Sequence, residues 1–143
     1  LDYIHSVERI SKLSNVISIN GGVQLDLMGQ ENAESTGTRQ LSGVGGQMDF
    51  LEGAYRSKGG KGFICINSSR VTKDGERKSN ILATIPGGST ISAPRTMIQY
   101  VATEYGIASL SGKTLRERAE AMASIAHPDF REELMKYAQE NFK

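Results

Sequence analysis

Glycine constrains this chain more than any other residue. Sixteen glycines occur in 143 residues, and four pairs stand out: Gly21-Gly22, Gly45-Gly46, Gly59-Gly60 and Gly87-Gly88. Paired glycines mark tight turns, or places where the backbone closes on a ligand, because no Cβ stands in the way. Between the pairs the hydrophobic period changes. Some segments alternate apolar and polar residues like half-buried strands; others repeat apolar residues every three or four positions like amphipathic helices. Strands interleaved with helices predict an α/β fold: a largely parallel or mixed sheet flanked by helices, with two helices closing the chain.

Ile4, Val7, Ile10 and Leu13 predict a short helix over residues 3–14. Residues 15–20 and 23–27 read as strands, joined at Gly21-Gly22 as a hairpin or as one bulged strand. Residues 29–47 are polar and aperiodic, and irregular stretches of that length are usually functional or mobile. A helix is expected from Gln47 to about Arg56, with Phe50, Leu51, Ala54 and Tyr55 inward. Gly59-Gly60-Lys61-Gly62 turns into a strand over 63–67. Residues 68–79 read as a polar loop with Lys73-Asp74-Gly75 at its tip. Residues 80–85 read as a buried strand stopped by Pro86, residues 89–93 alternate again, and a strand over 97–103 ends at Tyr105-Gly106. Thr114-Leu115-Arg116-Glu117 is a capping box. Its helix buries Leu115, Ala119, Met122 and Ile125 or Ala126. His127-Pro128 breaks it, and Pro128 suits the first turn of a second helix, with Phe130, Leu134 and Tyr137 inward.

Bulk properties exclude several classes. The chain is 38% hydrophobic and 23% charged, which fits one ordinary folded domain over residues 1–143. A net charge of +1 and the absence of a Lys/Arg run give no case for nucleic acid. No apolar stretch approaches the ~20 residues needed to cross a bilayer, and no signal-peptide pattern opens the chain. Cys65 is the single cysteine. It lies in the apolar run Phe63-Ile64-Cys65-Ile66, reads as a buried strand thiol, and makes cytoplasm the default compartment. The opening at Leu1, without methionine, is expected of a piece of a longer subunit.

Gly43-Val44-Gly45-Gly46 stands directly before a predicted helix. Such a turn exposes backbone N–H groups that bind phosphate or stabilise an oxyanion. It lacks the Gly-Lys-Ser/Thr of a P-loop and the spacing of a dinucleotide fingerprint, so on spacing alone a plain tight turn is an equal reading. Glu31, Glu34 and Glu104 are candidate nucleophiles or bases, although solvated or structural carboxylates are commoner. Of the two histidines, His5 and His127, the latter suits a helix-junction role. Two histidines and one cysteine are too few for a metal cluster, so no metal is expected. Lys58, Lys61 and Lys73 stand near glycine turns, where an exposed surface lysine is the commoner reading.

Several ordered motifs resemble one family. Val23-Gln24-Leu25-Asp26-Leu27-Met28-Gly29-Gln30, then Glu34-Ser35, then Gly43-Val44-Gly45-Gly46-Gln47-Met48-Asp49-Phe50 are similar to the acetyl-CoA hydrolase/transferase family. So are Tyr100-Val101-Ala102-Thr103-Glu104-Tyr105-Gly106, Gly112-Lys113-Thr114-Leu115-Arg116-Glu117 and Ala126-His127-Pro128-Asp129-Phe130-Arg131. The 4-hydroxybutyrate and butyryl-CoA:acetate CoA-transferases are the nearest branch.

The resemblance implies a CoA-transferase-like C-terminal domain that moves CoA between carboxylates through a glutamyl-CoA thioester. It implies backbone oxyanion contacts from Gly45 and Gly46, and substrate or CoA contacts from Gly43, Gln47 and Lys73. Coenzyme A is then a substrate, with no permanently bound cofactor. Acyl-CoA, a short-chain carboxylate, the N-terminal domain of the same subunit and a second copy in a homo-oligomer are the implied partners. None of Glu31, Glu34 and Glu104 matches the nucleophile, which is expected upstream, so the isolated chain is expected to be inactive. Acetyl-CoA hydrolysis and a non-catalytic CoA-binding or interaction module are the alternatives.

Overall fold

The computed structural model describes residues 3–142; Leu1, Asp2 and Lys143 lie outside it. Its elements, in order, are α1 (Val7–Lys12), β1 (Ile17–Gly21), β2 (Gln24–Asp26), β3 (Glu31–Asn32), β4 (Ser35–Thr36), β5 (Arg39–Gln40), α2 (Gln47–Arg56), β6 (Lys61–Cys65), β7 (Ser69–Val71), β8 (Arg77–Ser79), β9 (Ile81–Leu82), β10 (Tyr100–Thr103), β11 (Gly106–Ser109), α3 (Leu115–Ser124) and α4 (Pro128–Asn141).

The main sheet runs β1-β6-β10-β11. The first three strands are parallel, and β10–β11 is an antiparallel hairpin, so the sheet is mixed, as the sequence predicts. Parallel neighbours need a crossover. Between β1 and β6 the crossover contains α2, which brings the start of that helix to the edge where the strands end. A second sheet, β3-β2-β9, stands beside it. Strands β1 and β2 therefore part into different sheets instead of forming a hairpin. Gly21-Gly22 is the point of divergence.

Register decides the two faces of the main sheet. Ser18, Ile64, Val101 and Ala108 point to one side and are buried. There Leu51 of α2 and Ala119, Met122 and Ala123 of α3 join them in the core. Ile17, Ile19, Phe63, Cys65, Tyr100 and Ile107 point to the other side. That side is open: Ile19 is 67% and Ile107 64% exposed. Cys65 is exposed with them, not buried as its apolar neighbours suggest. Alternation along a strand places it opposite Ile64.

Other expectations change for local reasons. Helix α1 is only 6 residues, begun by Ser6, and buries Ile10 alone against α2. The polar stretch 29–47 is organised rather than structureless. Asn32 Oδ1 accepts from the amides of Glu34 and Ser35, and β4–β5 closes a small hairpin. The loop 68–79 is likewise a hairpin, β7–β8, with Lys73 at its turn. The strand expected over 80–85 shrinks to β9, and 89–93 contributes only a bridge from Ala93 to Glu31. Tyr105-Gly106 does not end the sheet; it turns β10 into β11. The α3 capping box and α4, begun by Pro128, form where expected, but Leu115 is 40% exposed because it lies in the first turn of α3, beyond the sheet.

Candidate active site

β1, β6 and β10 end together, with Gly21 beside Cys65 and Cys65 beside Ala102. Just beyond these ends lies a crevice of about 420 Å³ lined by Gly22, Cys65, Asn67, Ala102, Thr103 and Glu104. Open α/β sheets bind ligands outside the carboxyl ends of their strands. A larger hollow of about 590 Å³ runs along α1, but in its lining of Tyr3, Ile4, Glu8, Arg9, Ile10, Lys12 and Leu13 the one carboxylate is paired to Lys12 and Arg9 stacks on the Tyr3 ring. The crevice is therefore the candidate.

Glu104 is the acid at its rim. Ser68 holds both carboxyl oxygens: its amide donates to Oε2 at 2.9 Å and its hydroxyl to Oε1 at 2.6 Å. Burial pulls the Glu104 pKa upward, but the Ser68 hydrogen bonds and the nearby His127 outweigh it and hold the group below its ordinary value. Thr103 fixes the turn that carries it. Its hydroxyl donates to the Ile125 carbonyl at 2.7 Å and accepts from the Tyr105 amide at 3.1 Å.

The glycine loop leads into α2 at this edge. Residues 43–45 are exposed. Gly45 has φ +60 with open space around it, a backbone state that side chains rarely adopt. Gly46 is pinned instead: a Cβ there would lie 2.4 Å from the ring of His5. That ring packs edge-on against Phe50 and stands 3.6 Å from Asp49. As N-cap of α2, Gly46 supplies no side-chain hydrogen bond, and among the described residues no side chain caps the first amides of the helix. Uncapped N–H groups and the positive end of the helix dipole together favour an anion or a developing oxyanion.

Gln47, the first residue of α2, turns its amide inward. Its Nε2 donates to Oε2 of Glu31 at 2.6 Å. Glu31 is fully buried, and that burial pushes its pKa up to about 7 against the pull of Gln47, with Glu34 adding to the rise.

The structure brings Gly43, Gly45, Gly46, Gln47 and Glu31 into one cluster, with Glu104 at the same sheet edge. The other candidates lie elsewhere. Glu34 is buried in the knot around Asn32, and its carbonyl accepts from Leu41 at 2.7 Å, closing the β4–β5 hairpin. Lys73 is exposed at the β7–β8 turn, on a hairpin that leaves the carboxyl end of β6, and no hydrogen bond joins it to the glycine loop among the described residues. Lys58 and Lys61 stand at the opposite edge, where the Lys58 carbonyl accepts from Asn15 just before β1. His127 caps α4, its Nδ1 accepting from the Asp129 amide at 3.3 Å. Sequence reasoning missed Ser68 as the partner of Glu104 and the Glu31–Gln47 contact. These pairs are 36 and 16 residues apart, and no local pattern announces them.

Comparison with known proteins identifies the family. The profile of the acetyl-CoA hydrolase/transferase C-terminal domain matches residues 1–138. Butyryl-CoA:acetate CoA-transferase of Anaerostipes caccae is 47% identical over 97% of the chain, and 4-hydroxybutyrate coenzyme A transferase of Clostridium kluyveri 48% over 99%. The match covers 31% and 32% of those proteins, so the chain spans about a third of their length. Among solved structures, RipA from Yersinia pestis superimposes with a TM-score of 0.85 at 40% identity, over 97% of this chain and 30% of that one. The 4-hydroxybutyrate CoA-transferase of Porphyromonas gingivalis gives a TM-score of 0.76 at 40% identity, over 99% of this chain and 30% of that one. By sequence and by fold, the chain belongs to the acetyl-CoA hydrolase/transferase C-terminal domain family.

Proposed function

We propose that this chain is the glycine-loop part of an acyl-CoA:carboxylate CoA-transferase of the 4-hydroxybutyrate or butyrate/acetate type. The observation that carries the reading is the uncapped start of α2 behind an exposed glycine loop, at the carboxyl edge of a parallel sheet. The names of the relatives agree with it.

CoA transfer between carboxylates passes through tetrahedral oxyanions. A glutamate outside this chain attacks the acyl-CoA carbonyl and expels CoA thiolate, giving an acyl-glutamyl anhydride. The thiolate attacks the glutamyl carbonyl, releases the first carboxylate and leaves a glutamyl-CoA thioester. The second carboxylate repeats the cycle in reverse and leaves with CoA. Each addition puts negative charge on an oxygen, and preorganised amides stabilise that charge most where water is excluded. Gly45 and Gly46 supply such donors, Gly43 gives the backbone room to approach, and Gln47 contacts CoA. Lys73, on its hairpin, provides a cation for the phosphates of CoA. The open apolar face of the main sheet is the surface for the N-terminal domain of the same subunit, in keeping with relatives about three times as long.

The test is an assay of the full-length subunit with butyryl-CoA and acetate, and with acetyl-CoA and 4-hydroxybutyrate. Acetate-dependent formation of acetyl-CoA is expected. Release of free CoA at the same rate with or without acetate would replace transfer by hydrolysis, the activity named for a 32% identical relative from Eremothecium gossypii.

A further inference from the structure

Glu31 is fully buried, yet its Oε1 meets no hydrogen-bond partner among the described residues. An unpartnered buried oxygen costs free energy, so its placement needs a reason. Three features fix it. Its backbone is tied on both sides: the Glu31 amide donates to the Ala93 carbonyl at 3.0 Å, and the Glu31 carbonyl accepts from Ser92 at 2.8 Å. Oε2 accepts from Gln47 at 2.6 Å. Gly22, the first residue beyond β1, leaves the space for Oε1: a Cβ there would stand 3.0 Å from it and 3.1 Å from Ile64. The carboxyl thus links the exit of β1 to the first residue of α2, beside the glycine loop.

A carboxylate only accepts hydrogen bonds, so it decides which end of the Gln47 amide turns inward. Nε2 faces Glu31. Oε1 of Gln47 makes no hydrogen bond to the protein among the described residues and belongs to a half-buried side chain. It remains an acceptor on the side away from Glu31.

We propose that Glu31 is a positioning residue that locks the Gln47 amide with its carbonyl free beside the glycine loop, where it accepts an amide N–H of the pantetheine arm of an acyl-CoA. This rests on the transferase reading above. Around the carboxyl, Glu34 is the charge that bears on it, α2 presents Gln47 while its Asp49 turns to His5, and β6 presents the apolar Ile64. Because Glu31 titrates at about 7, it dictates the amide orientation above neutrality and releases it below, where the protonated acid donates as well as accepts.

Two measurements on the full-length protein test this. In steady-state kinetics, the wild-type KM for acyl-CoA should fall as pH rises through about 7, with kcat little changed. Glu31→Gln keeps an acceptor but no titration, and its KM should be flat with pH. Glu31→Leu should raise KM about tenfold, the worth of one hydrogen bond. An unchanged KM in Glu31→Leu, or a loss confined to kcat, overturns the proposal. The second measurement needs no activity. With 15N-glutamine labelling, the Gln47 side-chain resonance, identified by its absence in Gln47→Met, should shift with a midpoint near 7 and stay fixed in Glu31→Gln. A wild-type resonance that ignores pH overturns the proposal. A protein that transfers no CoA while this resonance still follows Glu31 refutes the transferase reading and supports the positioning of Gln47.

Discussion

Arg118 shows how much one side chain does here. It lies on α3 and is buried, and its guanidinium donates to three carbonyls: Met28 at 2.8 Å, Leu110 at 2.8 Å and Arg95 at 2.7 Å. Those carbonyls belong to three segments far apart in sequence, and the planar fork of arginine satisfies them together. Arg118→Met orphans them. It should cost about 3 kcal/mol in denaturant unfolding, since each unsatisfied buried group costs ~1–3 kcal/mol. Glu31 acts with the opposite sign through pH. Its folded pKa of about 7 exceeds the ordinary 4.5, so between these values the folded state holds more protons than the unfolded one. Its contribution to stability is therefore complete below 4.5 and is lost as pH rises through about 7. Thermal melts should show wild type losing stability relative to Glu31→Gln over that window, by about 3 kcal/mol. At Gly45 a Cβ would have no neighbour within 4 Å, so Gly45→Ala meets only the left-handed φ of +60. That change should cost about 1 kcal/mol of stability. Turnover of the full-length enzyme should fall at least ~10-fold, because the loop amides are re-aimed.

Among the elements, α3 is the one whose beginning the chain specifies most completely. Thr114 Oγ1 accepts from the Glu117 amide at 3.3 Å, and Glu117 Oε2 accepts from the Thr114 amide at 2.7 Å. These bonds, the Thr114 amide first, hold the Glu117 pKa below its ordinary value. The cap is therefore intact above 4.5 and loosens as pH falls through the lowered folded value. Thr114→Ala should cost about 1 kcal/mol, read as a shift of the denaturant midpoint at unchanged slope. Helix α2 is the contrast. It begins at Gly46 with no side-chain cap and gives up that stabilisation at the point where the proposed chemistry needs free amides. α1 packing against α2, with Ile10 lying over Gly53, supplies support that the cap does not.

At the scale of the whole molecule, the main sheet is covered on one face and open on the other. Ile17, Ile19, Phe63, Tyr100 and Ile107 form an apolar surface, with the rings of Phe63 and Tyr100 stacked at 4.9 Å. Contiguous apolar surface of this kind marks an interface. In the isolated chain, Ile19→Lys combined with Ile107→Lys should reduce self-association, measured by light scattering. In the full-length protein the same pair should destabilise by roughly 2 kcal/mol per substitution if the N-terminal domain covers this face. Equal stability of the full-length variant and wild type would remove the face from that role.

What the sequence determined by itself was local. The capping box of α3, Pro128 at the start of α4 and the extent of α2 follow from neighbours within one or two turns and form as read, whereas the strands read over 63–67 and 97–103 form with shifted bounds, β6 at Lys61–Cys65 and β10 at Tyr100–Thr103. The glycine loop was legible as a turn before a helix for the same reason. Tertiary structure alone decided the rest. Cys65 is exposed because the helices cover only the Ile64 face of the sheet. β1 and β2 part because each finds its partner strand more than 40 residues later, β6 for one and β9 for the other. Glu31, by pattern one polar residue in a polar stretch, is buried because Gly22, Ile64 and Gln47 close around it. Burial and hydrogen-bond partners are set by which segments meet across the sheet, and the alternation of side chains along a strand records two faces without recording which of them will be covered.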